Sequence, residues 1–474
     1  MYGKNKLTKS DFMASAEFMK DNLGPSLCLA KWQQVSLHLP TGLTNSCYHP
    51  PLHEIDASLL EEDPGALHNT PYKKQQRVIM LKNERPEECS YCWTQEDLGN
   101  LSDRHYRSGE SWAAEHFDSI VNSQGDEDGV IPSYVEVNFN HACNLSCSYC
   151  SPQFSSTWQQ EVDRYGGYPT STTHNDPSHF TGRRRPIPAR ETNPYVEAFW
   201  SWWPELYPKL KHFRMTGGEP LMDKNTYKVF DYVLAMPNPE LHIDVTSNFS
   251  VEPELYDKYL DYVKQLCSTQ IEHFMQYVSL DTGTAAHAEY IRNGLHFGRL
   301  ALNVERYLKE IPYRNSLTFI ITMNNLSVLG VQSLLDWILD LRKVHSTTYQ
   351  RVWFDTPLLR QPTWQSLQIL PPVYVDHLAR VADWMELHIE TPDRPFQGFK
   401  DYEVARMRRC IDWMREGSKL DPDYVKLQRG DFYRFFSEYD RRRQAIFPFP
   451  PGRFTDVFPQ MKEFWKECEY WAKQ

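Results

Sequence analysis

Three closely spaced cysteines are the residues of this chain best suited to metal chemistry. Cys143, Cys147 and Cys150 follow the pattern C-x3-C-x2-C in the run HACNLSCSYC. A structural zinc ion normally has four protein ligands, so three thiolates are one short of a closed site. An iron–sulfur cube held by three cysteines leaves one iron open to another ligand. Three unrelated buried thiols are the alternative, because free cysteine is often buried.

A second motif, MTGGEP at residues 215–220, begins about 65 residues downstream. Two glycines after an apolar run are a weak signal by themselves, because they also suit an ordinary turn at the end of a strand. Glycines also let a ligand approach the backbone closely, since no side chain stands in the way. The order of the two motifs is therefore more informative than either motif alone.

Together, the two motifs resemble those of the radical S-adenosylmethionine (SAM) enzymes, and Tyr149 before the last cysteine also matches that family. The resemblance implies that the three cysteines hold a 4Fe–4S cluster whose open iron binds SAM. Reductive cleavage of SAM would then give a 5′-deoxyadenosyl radical that abstracts a substrate hydrogen. It also implies that the exposed strand edge after Thr216 hydrogen-bonds the amino group of SAM. The cofactor-binding residues that it implies are Tyr149 in the first motif and Gly217, Gly218, Glu219 and Pro220 in the second.

Short strands and helical segments alternate through the middle of the chain. Alternation of this kind predicts an α/β fold with a parallel sheet. Six repeats fit the partial (β/α)6, TIM-like barrel of the family that the motifs resemble. The predicted strands are 134–140, His212–Thr216, 242–248, 275–281, 317–324 and 351–356, and the clearest helices between them are 227–236, 254–266 and 331–344.

Polar and apolar residues alternate along these strands. Glu136 and Asn138 share one face of the first strand, and Val135 and Val137 share the other, because successive side chains point to opposite faces. The pattern predicts an open, polar-lined lumen that holds a ligand. A sheet with one solvent-exposed face is the alternative.

Candidate site residues lie at the carboxyl ends of the predicted strands, where barrel enzymes place their active sites. By the resemblance, Ser279 contacts the SAM ribose and Arg292 contacts the SAM carboxylate. An ordinary surface ion pair is the alternative for Arg292. Asn248 is a candidate cofactor-binding residue, with substrate binding or interior hydrogen bonding as its alternatives. Asp281 and Asp355 are candidate catalytic residues, with substrate binding or interior hydrogen bonding as their alternatives.

Four cysteines precede the predicted barrel: Cys28, Cys47, Cys89 and Cys92. Their spacing, with Gly42 between the first two and a C-x2-C pair at the end, resembles the auxiliary-cluster domains called SPASM and twitch. In most relatives that domain follows the barrel, whereas here it would precede it. Residues 35–42 have the pattern of a strand running into the turn of the required hairpin.

Four thiolates can bind a second 4Fe–4S cluster or a zinc ion. The resemblance favours iron and implies that this auxiliary cluster exchanges an electron with the substrate radical. A purely structural role is the alternative. Of the remaining cysteines, Cys267, Cys410 and Cys468, only Cys410 is a candidate catalytic residue, as a hydrogen-atom donor of the kind that some radical SAM epimerases need.

Composition restricts the partners of the protein. The 474 residues include 62 acidic and 51 basic ones, so the formal net charge of −11 argues against a broad nucleic-acid surface. The chain starts with polar sequence, so no signal peptide is expected. The sequence contains no run of about 18 apolar residues, so no membrane span is expected either. Ten cysteines without an export signal are typical of metal or redox chemistry in the cytoplasm.

Three regions follow from these patterns: an auxiliary iron–sulfur domain at 1–125, a radical SAM partial barrel at 130–357 and a mostly helical cap at 358–474. A polar loop at 166–193 is predicted to be a lid, an anion-binding segment or a solvated insertion.

The predicted function is that of a radical SAM enzyme, reduced by a partner such as flavodoxin or ferredoxin and acting on a peptide or protein side chain. One alternative is a radical SAM dehydrogenase or epimerase of a sugar or aminosugar. An alternative of another class is a non-catalytic, zinc-binding interaction protein.

Overall fold

The computed structural model describes residues 9–171, 185–312, 314–446 and 452–474. Residues 172–184 of the predicted loop at 166–193 therefore lie outside the described residues. The chain divides into two compact units. The first comprises Met1–Asn140, Pro186–Gly217 and Met236–Asp244, and the second comprises His141–Arg185, Gly218–Ala235 and Val245–Gln474.

The described residues form both strands and helices. The strands are β1 (Gln34–His38), β2 (Leu43–Asn45), β3 (His53–Glu54), β4 (Tyr134–Asn138), β5 (Ser146–Cys147), β6 (His212–Thr216), β7 (Asn238–Ser247), β8 (Ile271–Ser279), β9 (Arg292–Asn293), β10 (Ser316–Ile320) and β11 (Val352–Asp355).

The α-helices are α1 (Lys9–Asn22), α2 (Ala30–Gln33), α3 (Pro71–Leu81), α4 (Ser90–Asp97), α5 (Asp103–Gly109), α6 (Ser111–Ala114), α7 (Phe117–Val121), α8 (Ser156–Tyr165), α9 (Pro194–Leu206), α10 (Lys224–Ala235), α11 (Pro253–Thr269), α12 (Ala285–Ile291), α13 (Phe297–Glu310), α14 (Val331–His345), α15 (Pro372–Glu386), α16 (Asp401–Glu416), α17 (Pro422–Ile446), α18 (Phe454–Val457) and α19 (Lys462–Ala472). Within the described ranges, no helix is both long enough and apolar enough to cross a bilayer.

Parallel pairing joins three strands of the first unit. β4 pairs with β1 on one side and with β6 on the other, which places Glu136 opposite both Ser36 and Arg214. The Glu136 and Arg214 side chains stay 13% and 20% exposed, and their Oε2 and Nε atoms lie 3.3 Å apart. The apolar residues that alternate with them are at most 1% exposed: Val35, Leu37, Val135, Val137, Phe213 and Met215. The predicted alternation of polar and apolar faces is therefore present on these strands.

The hairpin predicted around Gly42 is formed by β1 and β2, which pair antiparallel. Gly42 has φ +63°, a backbone conformation that favours glycine. The six-strand pattern does not include β1, yet β1 also pairs with β4 and so joins the parallel sheet. That pairing connects segments about 100 residues apart, so local periodicity could not show it.

The second unit contains another parallel set, in which β10 pairs with both β8 and β11. A separate antiparallel pair, β5 with β9, places Cys147 opposite Arg292. β7 begins in the first unit and ends in the second. A mixed α/β fold with a parallel sheet is therefore confirmed, whereas closure into a six-stranded partial barrel and the order of domains remain predictions.

The start of α8 helps to position the cysteine motif. Ser155 is the N-cap of this helix, and its Oγ accepts a hydrogen bond from the Trp158 amide at 3.3 Å. The same hydroxyl donates to the Leu145 carbonyl at 2.7 Å. The helix ends at Gly166, whose φ is +76°. The N-cap of α8 is therefore hydrogen-bonded to Leu145, which lies between Cys143 and Cys147 in the motif.

Arg342 and Glu403 form an ion pair that is fully buried within the second unit, with both side chains 0% exposed. The guanidinium donates to the two carboxylate oxygens at 2.6 and 3.0 Å. It also donates to the carbonyls of Val352 and Gly398. Both charges are thus satisfied only while the two partners are present.

Replacing Glu403 with glutamine should lower the free energy of unfolding by about 3–5 kcal/mol, because it leaves the guanidinium charge buried without a counter-ion. Urea denaturation would measure the change. The matched control is Glu416→Gln, which breaks the exposed pair between Glu416 and Lys419 and should stay close to wild type. Equal unfolding free energies for the two variants would contradict the expectation.

Candidate active site

The loop that carries the first motif, residues 143–150 and called here the three-cysteine loop, is held by hydrogen bonds on both sides. The Ser148 amide donates to the Ile291 carbonyl at 2.7 Å. Its hydroxyl donates to Gln365 Oε1 at 2.9 Å, and the Gln365 amide donates back to the Ser148 carbonyl at the same distance. The Trp158 indole N–H donates to the Cys147 carbonyl at 2.8 Å. Ser148, Gln365 and Trp158 fix the loop, and no spacing in the sequence pointed to them.

The glycine motif lies directly against this loop. The Glu219 amide donates to the Ala142 carbonyl at 2.7 Å. A Cβ added at Gly218 would lie 2.2 Å from the Ala142 oxygen and 2.7 Å from its carbonyl carbon. The contact is with backbone, so only a residue without a side chain fits there. The two motifs, far apart in sequence, therefore meet beside Cys143.

Gly217 packs closely against the Asn138 side chain within the first unit. Its φ is +121°, and a Cβ there would lie 2.1 Å from Asn138 Oδ1. That oxygen is buried and has no hydrogen-bond partner among the described residues. A buried acceptor without a partner suits a ligand that carries an N–H donor.

Glu219 and Asn248 link the glycine motif to the end of β7. The backbone N–H of Asn248 donates to Glu219 Oε2 at 2.8 Å. The side-chain Nδ2 of Asn248 donates to Asn144 Oδ1, also at 2.8 Å. Burial raises the pKa of Glu219 to about 7, although the backbone N–H groups of Asn248 and Leu221 favour the charged form. Asn144, inside the three-cysteine loop, thus contacts Asn248 directly, a role that the sequence did not indicate.

Asp281 is the centre of a buried network. It accepts hydrogen bonds from Arg292 Nε at 3.0 Å and Nη2 at 2.9 Å, from Tyr149 Oη at 2.8 Å and from the Thr322 amide at 3.0 Å. The third guanidinium nitrogen, Nη1, lies 3.8 Å from Cys147 Sγ. Burial alone would lower the pKa of Arg292, but the nearby Asp281 carboxylate raises it by more. The pKa of Arg292 therefore lies above its ordinary value. Arg292 therefore carries its charge beside a cysteine of the motif.

The assignment of Arg292 to the SAM carboxylate and of Asp281 to catalysis remains a prediction. Here the two residues form a buried pair, with side chains 7% and 1% exposed, whereas the alternative predicted for Arg292 was a surface ion pair. Tyr149 belongs to the same network, and its ring lies 5.5 Å from the Arg292 guanidinium carbon. The network joins the three-cysteine loop to the carboxyl end of β8.

Burial raises the pKa of all three thiols of the motif. The effect is large for Cys143, Cys150 is raised to about 12, and Arg292 partly offsets the rise at Cys147. Burial therefore favours the protonated thiol over the thiolate at all three positions when no metal is bound. Since iron binds thiolate, cluster binding must displace their protons.

The other catalytic candidates lie in different settings. Asp355 Oδ1 pairs with Arg406 at 3.1 Å, and both side chains are more than two-fifths exposed. Cys410 is fully buried, and its thiol lies 3.9 Å from the Thr356 carbonyl. Burial raises the pKa of Cys410 to about 11. Ser279 ends β8 and is partly exposed. Their functional assignments remain predictions.

The four amino-terminal cysteines line one cavity, called here the four-cysteine cavity. Its wall includes Cys28, Cys47, Cys89 and Cys92, all within the first unit. Burial raises the pKa of Cys47 to about 11 and that of Cys89 to about 12. The backbone N–H groups of His49 and Arg104 partly offset the rise of the pKa at Cys47 and Cys92. Four thiols around one space suit a multi-iron cluster, because each thiolate binds a different iron.

Over the described ranges, no group of three His, Cys, Asp or Glu side chains is placed so that it could hold one metal ion.

Cationic side chains also line the four-cysteine cavity, and the cysteine motifs in the sequence did not indicate them. They are Lys31, Arg104 and Arg107. Burial alone would lower the pKa of Lys31, but Cys89, Glu88 and Cys47 together raise it above its ordinary value. The Lys31 amide donates to the Cys28 carbonyl at 3.0 Å, in the turn that leads into α2. Its separation of only three residues from Cys28 is the signal that could have identified it.

No protein-family model matches the sequence. None of the curated proteins matches it. Among solved structures, the chain is similar to Streptococcus suis SuiB bound to the precursor peptide SuiA, with 11% sequence identity and a TM-score of 0.32. The similarity covers 66% of this chain and 62% of SuiB, so the chain spans less than two thirds of the length of that protein. A likeness this low assigns neither fold nor function to the chain.

Proposed function

We propose that this chain is a radical SAM enzyme with one auxiliary 4Fe–4S cluster. The three-cysteine loop would hold the SAM-binding cluster, and the four-cysteine cavity would hold the auxiliary one. When bound, cluster and cofactor supply a 5′-deoxyadenosyl radical that abstracts a hydrogen from the substrate.

The observation that carries the proposal is the meeting of the two motifs. The backbone of Gly218 and Glu219 packs on the Ala142 carbonyl, next to Cys143. If the three-cysteine loop holds a cluster that binds SAM, this proximity would place residues of the glycine motif within reach of the same cofactor.

The residues of the chain have distinct tasks in this proposal. Cys143, Cys147 and Cys150 would hold the cluster as thiolates. Arg292 stabilises the thiolate of Cys147 by its charge, and Asp281 holds Arg292 in place through two hydrogen bonds. The assignment of Gly217 to cofactor binding belongs to the same proposal.

Several finer assignments belong to the same proposal. SAM contacts extend to Pro220, Asn248 and Ser279, and the auxiliary cluster takes part in electron transfer. The substrate is a peptide or protein side chain, the reductant is a flavodoxin or ferredoxin, and the enzyme works in the cytoplasm. The auxiliary domain, barrel and cap occupy 1–125, 130–357 and 358–474.

Anaerobic reconstitution with iron and sulfide tests the proposal. We expect about eight irons per chain, as two 4Fe–4S clusters require, together with brown colour and charge-transfer absorbance in the visible range. Reduction with dithionite in the presence of SAM should release 5′-deoxyadenosine, which liquid chromatography detects.

Two outcomes would overturn the enzyme assignment. One is a fully iron-loaded chain that does not cleave SAM. The other is a colourless protein that takes up zinc at both cysteine sets, as the interaction-protein alternative predicts.

A further inference from the structure

The cations that line the four-cysteine cavity are arranged in pairs with carboxylates. Lys31 pairs with Glu88, Arg104 with Glu96 through two bonds of 2.7 and 2.8 Å, and Arg107 with Glu110 at 2.8 Å. The three cations are part of the cavity wall. The carboxylates Glu88, Glu96 and Glu110 are not among the residues that line it.

Each pair is thus oriented with its positive end toward the thiols. Asp103 is the one carboxylate in the wall, and it pairs with His49 at 2.6 Å. The wall therefore carries more positive than negative charge. Such a wall suits an occupant with net negative charge.

We propose that Lys31, supported by Arg104 and Arg107, forms a cationic shell that sets the reduction potential of the auxiliary cluster. The inference rests on the proposed function, because it needs a redox-active cluster on Cys28, Cys47, Cys89 and Cys92. A cube with four thiolates is anionic, and one-electron reduction adds a further negative charge. Nearby fixed cations stabilise the reduced form more than the oxidised form, so they raise the potential.

Lys31 dominates the shell because of its burial. Its side chain is 2% exposed, so water screens its charge poorly, and it interacts with both Cys89 and Cys47. Arg107 is 29% exposed, so its influence is more strongly screened. Lys31 would act on the cluster through its charge and would not bind iron.

An EPR-monitored redox titration of the full chain tests the proposal. Substituting Cys143, Cys147 and Cys150 by alanine leaves only the auxiliary signal. In that background, Lys31→Met should lower the reduced-to-oxidised ratio at fixed potential at least tenfold, equivalent to about 59 mV for one electron. Glu88→Gln should shift the ratio in the opposite direction, because it removes the charge that opposes Lys31.

The matched control is Lys74→Met, since Lys74 also pairs with a carboxylate, Asp128, but that carboxylate is exposed. It should leave the potential unchanged. Arg107→Gln is the second variant if Lys31→Met fails to load iron, and it should lower the potential by a smaller amount. Lys31→Arg should restore most of the wild-type potential.

The outcomes distinguish a failure of the cationic shell from a failure of the auxiliary cluster. Iron-loaded Lys31→Met and Arg107→Gln with wild-type potentials would overturn the cationic shell and leave the radical SAM assignment standing. A background chain that binds no iron, from a wild type that does cleave SAM, would overturn the auxiliary cluster itself.

Discussion

A chain with alanine at 143, 147 and 150 should release no detectable 5′-deoxyadenosine and should retain about half of the wild-type iron. The three thiols are the only proposed ligands of the SAM-binding cluster, so their removal leaves no thiolate for iron at that loop. The loop itself should persist, because its anchors are Ser148, Gln365 and Trp158 and do not include sulfur. Anaerobic iron analysis and product chromatography measure both effects.

Cysteine replacements elsewhere serve as controls for this loss. Cys468 is buried and matches no motif, so Cys468→Ala should keep full iron and full SAM cleavage. Joint replacement of Cys89 and Cys92 should remove the other half of the iron and leave some cleavage. If that double variant stays folded but cleaves no SAM, the second cluster is not independent of the first. If the triple variant still cleaves SAM, the assignment of the three-cysteine loop is wrong.

Much of the fold was predictable because it depends on local periodicity. Alternating apolar residues such as Val135, Val137 and Phe213 mark strands, and their faces are as buried as the pattern requires. The close approach at Gly218 was also predictable, since a glycine pair at a strand end indicates a backbone that something must approach.

Contacts between distant segments were not predictable in the same way. The pairing of β5 with β9, which brings Arg292 opposite Cys147, joins residues 145 positions apart. Nothing in the residues around Arg292 distinguishes a ligand contact from a bond to Asp281. The charges around the four-cysteine cavity were missed for a similar reason, because Arg104 and Arg107 approach it from a helix whose own pattern shows no metal motif.

Gly218→Ala should reduce SAM cleavage on the order of 100-fold, as expected when a displacement of about 1 Å disturbs a reacting geometry. The new Cβ would lie 2.2 Å from the Ala142 oxygen, and no flexible side chain can move to relieve the clash. The strand edge and the three-cysteine loop must then separate. The hydrogen bond from the Glu219 amide to Ala142 should lengthen or break.

The same substitution at Gly298 is the matched control. It lies in the first turn of α13, where a Cβ would meet only the His296 ring, at 3.4 Å or more. Gly298→Ala should therefore keep wild-type SAM affinity, iron content and thermal stability. Gly218→Ala should keep its iron, because the cysteines are untouched, but should bind SAM more weakly in equilibrium dialysis. If both variants bind SAM equally well, the contact of Gly218 with Ala142 supports only the fold. If Gly218→Ala alone loses SAM affinity while its iron is retained, this contact is part of the cofactor site.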